Sequence, residues 1–83
     1  MKKRRSRVNI QIGAKLRSLR EGCGYSQESV AKKVGILRTS LVNIEYGRQN
    51  ISADMLCKFC AIYEVPFGEF VPVQPAKVAR DGR

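Results

Sequence analysis

From Val8 onward, apolar residues return at Val8, Ile12, Leu16 and Leu19, in steps of four and three that place them on one helical stripe. That helix is expected to end at Gly22-Cys23-Gly24, where glycine suits the left-handed conformation that closes a helix. Ser26 then reads as the cap of a short second helix, with Gln27 and Glu28 in its first turn. Val30, Ala31 and Val34 form its inner face, and Gly35 breaks it. A third helix is predicted from Leu37 to Tyr46, stopped by Gly47. At about 100° per residue, Leu37, Leu41 and Ile44 fall on a narrow inward stripe. Arg38, Thr39, Val42, Asn43 and Tyr46 fall on the opposite face. After the polar loop Arg48-Gln49-Asn50, Ser52 caps a fourth helix with Asp54 in its first turn, where the helix dipole favours it. Its stripe is Leu56, Phe59, Cys60 and Tyr63. Pro66 suits the first position of a fifth short helix through Phe70, and Pro72 and Pro75 end the order. The expected fold is all-α: a compact five-helix domain over residues 8–71, between a flexible basic arm at 1–7 and a flexible tail at 72–83.

Charge changes the picture more than hydropathy does. The 83 residues hold 16 Lys or Arg against 7 Asp or Glu, a formal charge of +9, and 43% hydrophobic residues suffice for a core. The excess is concentrated in residues 1–22, where Lys2, Lys3, Arg4, Arg5, Arg7, Lys15, Arg17 and Arg20 face Glu21 alone. Residues 52–83 balance to zero. Such a distribution points to an anionic partner, nucleic acid first, because phosphate neutralisation dominates that kind of binding. The length fits one small domain without a catalytic or ligand-sensing partner domain. Histidine is absent, which removes the commonest general base, and no catalytic Ser or Cys has a base partner. An enzyme is therefore not expected.

No apolar run approaches the roughly 18 residues of a membrane span. The opening Met1-Lys2-Lys3-Arg4-Arg5 resembles the charged start of a secretion signal but lacks the apolar stretch that would follow it. The expected location is the cytoplasm, on the nucleoid of a prokaryote or a phage host. Cys23, Cys57 and Cys60 are odd in number and, without histidine, fall short of the four ligands of a structural zinc site. They read as small packing residues in a reducing compartment. No metal, cofactor or small-molecule ligand is expected.

A short helix, a glycine-containing turn of about four residues and a second helix with a polar outer face describe a helix-turn-helix. The sequence resembles the lambda-repressor-like (Xre) helix-turn-helix family. The resemblance rests on Ile12-Gly13-Ala14-Lys15-Leu16-Arg17-Ser18-Leu19-Arg20 and Ser26-Gln27-Glu28-Ser29-Val30-Ala31. It continues through Thr39-Ser40-Leu41-Val42-Asn43-Ile44-Glu45-Tyr46-Gly47-Arg48 to Val65-Pro66-Phe67-Gly68-Glu69-Phe70.

The resemblance implies a division of roles. Arg38, Thr39 and Asn43 match positions from which family members read bases. Arg suits guanine O6 and N7, and Asn suits adenine N6 and N7. Val42 lies beside them, where it can meet a thymine methyl. Gln27 matches a glutamine that donates to a DNA phosphate, and Tyr46, Arg48, Gln49 and Asn50 belong with the phosphate contacts at the end of the third helix. Lys2, Lys3, Arg4, Arg5 and Arg7 add phosphate contacts from the arm, whose seven residues span roughly 23 Å when extended. Arg20 and Glu45 match an ion pair that joins the first helix to the third. Two positions depart from the pattern: Leu37 stands where a capping Ser or Thr is usual, and Ile51 where Pro is common.

Family members commonly bind as two-fold dimers, and Phe67 and Val71 are the candidate interface residues here. The implied function is sequence-specific, double-stranded DNA binding by a homodimer on an inverted-repeat operator, in the manner of a phage or bacterial repressor or controller protein. The alternative is an antitoxin-type module that sequesters a protein partner and regulates its own operon.

Overall fold

The computed structural model describes residues 6–70. Within them, α1 runs Arg7–Cys23, α2 Gln27–Val34, α3 Arg38–Tyr46 and α4 Ala53–Tyr63, and a 3-10 turn covers Phe67–Phe70. No strand occurs among the described residues. The expected fifth helix is thus a single 3-10 turn. Pro66 accepts the Glu69 N–H at 3.0 Å, an i to i+3 bond, and four residues are too few to go on into an α-helix. No described helix is long and apolar enough to cross a membrane.

Three helices start for the same local reason. The Oγ atoms of Ser6, Ser26 and Ser52 accept the backbone N–H groups of Asn9, Ser29 and Met55 at 3.0, 3.0 and 3.1 Å. The Ser6 cap draws Arg7 into the first turn of α1, so the arm as expected from the sequence loses its last residue to the helix. Lys2, Lys3, Arg4 and Arg5 lie outside the described residues. At the start of α3 stands Leu37, whose side chain makes no capping bond. Leu37→Ser is accordingly expected to stabilise the domain by about 1 kcal/mol, read as a higher melting temperature. An unchanged or lowered melting temperature would show that leucine holds this position for stability.

The core gathers Leu16 of α1, Val30, Ala31 and Val34 of α2, Leu41 and Ile44 of α3, Leu56, Phe59 and Tyr63 of α4, and Phe70 of the 3-10 turn. Leu16, Val30, Leu41 and Phe59 are its fully buried centre. Two residues expected on inward stripes are exposed instead. Val8 is 46% accessible, because Ile10 is the residue of that turn that meets α3. Leu37 is 72% accessible. Its backbone is extended (ψ 151°), so helical angles do not apply to it. Of the three cysteines, Cys60 is half-buried beside the core, and burial pushes its thiol pKa up. Cys23 and Cys57 are exposed and do not pack as expected, since they lie on the outer faces of α1 and α4.

α1 packs chiefly on α3, and glycine makes that contact possible. A Cβ on Gly13 would clash with the Ile44 carbonyl oxygen and lie 2.6 Å from that of Glu45. Gly47, at φ 87°, ends α3 in the left-handed region and has its own would-be Cβ 2.8 Å from the Ile10 Cα. The backbones of α1 and the last turn of α3 therefore meet without intervening side chains, which fixes α3 relative to the rest of the domain. Lys15 and Glu69 add an exposed bridge at 2.9 Å between α1 and the 3-10 turn. Exposed pairs of this kind contribute little.

Candidate nucleic-acid interface

α2 and α3 are joined by the turn Gly35-Ile36-Leu37, which the Gly35 and Ile36 N–H groups enter by donating to the Ala31 carbonyl at 2.8 and 2.9 Å. The outer face of α3 and the start of α2 bound a groove lined by Arg17, Ser26, Gln27, Arg38, Val42 and Tyr46, with the Arg20–Glu45 pair in its wall. Arg38 lines it and Arg48 lies just past Tyr46, whereas Arg17 and Arg20 are paired with Glu21 and Glu45, and Glu28 also lines it.

A continuous polar chain builds the wall. Arg20 Nε and Nη2 donate to Glu45 Oε2 and Oε1 at 2.8 and 3.2 Å, a two-point contact that a planar guanidinium suits. Arg20 Nη1 donates to the Tyr25 carbonyl at 3.0 Å. Both residues are buried, at 9% and 8% accessibility, so the charges are compensated almost wholly by each other. The bond to Glu45 outweighs burial and holds the Arg20 pKa above its usual value. Glu45 Oε1 also accepts from Gln27 Nε2 at 3.2 Å, and Gln27 Oε1 accepts from Arg38 Nη2 at 3.2 Å. The chemistry of the neighbours orients this amide, since a carboxylate only accepts and a guanidinium only donates. Arg38 is thereby linked to α1 through three side chains.

Below the chain lies Tyr63, ring to ring with Tyr25 at 6.5 Å. Its buried hydroxyl has no hydrogen-bond partner among the described residues. Burial pushes its pKa well up, which keeps the phenol neutral next to the ion pair.

Of the residues expected to read bases, Arg38 and Thr39 are exposed while Val42 and Asn43 are half-buried on the same side of α3. Tyr46 is exposed at the end of that face, with the Arg48 guanidinium 4.8 Å from its ring centroid. Gln27 is half-buried and engaged with Glu45 and Arg38. Gln49 is half-buried, and exposed Asn50 accepts from Asn9 Nδ2 at 2.7 Å, tying the loop after α3 to the first turn of α1. Phe67 stands apart from this face at 42% accessibility, and Val71 lies outside the described residues.

Arg17, Gly13 and Asn9 also take part. Arg17 lines the groove and pairs with Glu21 at 3.1 Å; the (i, i+4) spacing was a visible signal. Gly13 was visible as a glycine inside a helical pattern, which marks close packing. Asn9 gave no signal, because its partner is 41 residues away.

This helix-turn-helix with a solvent-facing second helix has clear relatives. The helix-turn-helix family HTH_3 matches residues 16–70. The chain belongs to that family, the Xre or lambda-repressor-like group of DNA-binding transcriptional regulators. A protein of Thermococcus kodakarensis named as an HTH-type transcriptional regulatory protein is 38% identical over 75 residues, which is 90% of this chain and 23% of that protein. A counterpart in Pyrococcus furiosus is 31% identical over 68 residues, covering 82% of this chain and 22% of its own length. The chain thus spans under a quarter of the length of these curated relatives. Among solved structures, the restriction-modification controller protein C.AhdI from Aeromonas hydrophila superimposes with a TM-score of 0.71 at 28% identity, over 76% of this chain and 96% of that one. SinR, a master regulator for biofilm formation solved in complex with DNA, gives a TM-score of 0.68 at 31% identity, over 74% and 98%.

Proposed function

We propose that this chain binds double-stranded DNA sequence-specifically and regulates transcription as a homodimer on an inverted-repeat operator, as repressors and controller proteins do. The observation that carries the reading is the polar face of α3, open to solvent and held in place from behind by the chain Arg38–Gln27–Glu45–Arg20. The likeness to a controller protein and to a regulator solved on DNA supports it. Arg38, Thr39, Val42 and Asn43 read base edges in the major groove. Gln27, Tyr46, Arg48, Gln49 and Asn50 sit around them to meet phosphates, joined by Arg7 and by Lys2, Lys3, Arg4 and Arg5. Phe67 and Val71 supply the two-fold contact, which sets half-sites about one helical turn apart, roughly 34 Å.

Selection of sites from a random duplex library tests this directly. A short inverted repeat is the expected product, bound with a steep dependence on salt because several phosphates are neutralised. Recovery of no consensus would sink the proposal. Asn43→Ala is expected to relax base preference at one position per half-site, at a cost of about 1–3 kcal/mol on the preferred sequence. Lys3→Ala is expected to weaken all duplexes alike. An intact preference in the Asn43 variant would show that the reading face lies elsewhere.

A further inference from the structure

Large apolar side chains exposed among the described residues are few: Val8, Leu37, Tyr46 and Phe67. Leu37 is the most exposed of them, at 72%, and it occupies the point where the turn enters α3, directly before Arg38 and Thr39. Helix capping does not explain it. Serine starts each of the other three helices with a hydroxyl-to-N–H bond, whereas leucine forgoes that bond and keeps its isobutyl group in water. The position does have one environment in which leucine is the better choice. A recognition helix enters the major groove with its N-terminal residues leading, and these are the residues that touch base edges. The apolar feature on those edges is the C5 methyl of thymine.

We infer that Leu37 is a specificity-determining residue that reads a thymine methyl beside the base pairs met by Arg38 and Thr39. A hydroxyl at this position would cap α3 and reach only polar groups; leucine exchanges that stability for an apolar base contact. Its role rests on the duplex-reading function proposed above.

Deoxyuridine substitution isolates this contact, because it removes the thymine methyl and nothing else. Each thymidine of a selected operator is replaced in turn, and binding of wild type and Leu37→Ser is measured by fluorescence anisotropy at fixed salt. At one thymidine per half-site, the replacement should weaken wild type about fourfold, close to the effect of burying one methyl group. The serine variant should be indifferent at that position yet keep the wild-type response at every other. It should also melt above the wild-type temperature, so that lost binding is not lost folding. A consensus whose deoxyuridine series leaves wild type unaffected, or affects both proteins equally, overturns the role of Leu37 and leaves duplex reading intact. Failure to select any consensus overturns both.

Discussion

Gly13→Ala is expected to destabilise the domain by about 3 kcal/mol, the upper part of the usual range for forcing extra volume into a packed interior. The atoms that a Cβ would strike are the carbonyl oxygens of Ile44 and Glu45, which are backbone and cannot rotate away. α1 and α3 would have to separate along their main contact, and the separation would spread to the Arg20–Glu45 bond between the same helices. For a domain of this size the melting temperature should fall by more than about 10 °C. Gly22→Ala is the matched control, since a Cβ there meets nothing within 4 Å and alanine favours the helix. Urea unfolding of the two variants checks the pair. Equal midpoints would mean that α1 and α3 do not pack backbone to backbone.

Removing one member of the buried pair carries a comparable cost for a different reason. Glu45→Ala should destabilise by about 3 kcal/mol, because it leaves the buried Arg20 guanidinium with the Tyr25 carbonyl and the more distant Glu21 carboxylate, 3.9 Å away, in place of a two-point partner. The double variant Arg20→Met, Glu45→Leu should regain much of that loss, since apolar residues of similar volume often replace a buried ion pair without penalty. Binding to the selected operator should not recover with it. Gln27 Nε2 loses its acceptor in the double variant, and Arg38, held through Gln27, loses its fixed position. Chemical denaturation and operator binding, measured on the same three proteins, separate the two effects. A double variant that binds as wild type does would show that the polar chain serves stability alone.

The helices were legible where their causes are local. Ser6, Ser26 and Ser52 act on N–H groups three residues away, and two of them could be read directly from the sequence beside their apolar stripes. Ser6 lies within the basic run, which masks its capping role, and Arg7 belongs to α1 and not to the arm. Leu37 leaves the inner stripe because its backbone is extended and helical angles begin only at the next residue. The fifth helix shrank to a 3-10 turn because the proline signal marks a start and says nothing about length.

The candidate site divides in the same way. The outward face of α3 follows from periodicity, and its exposed Arg38 and Thr39 agree with that reading. The polar chain behind it does not. Arg20 and Glu45 are 25 residues apart and Gln27 and Glu45 are 18 apart, so only a family resemblance could pair the first, and nothing announced the second. Cys23 and Cys57 show the converse: an apolar residue type does not bury itself when its helix turns it outward.

The backbone contact at Gly13 and Gly47 also bears on the thermodynamics of association. Ordering a recognition element costs entropy, and that cost falls either at folding or at the moment of encounter. With α3 clamped against α1, the cost falls at folding, before any duplex arrives. The heat-capacity change on complex formation should then carry no contribution from folding of α3, which coupled folding would otherwise add. Encounter by this domain becomes a meeting of two preformed surfaces, its rate governed by long-range charge attraction and not by the search for a helix.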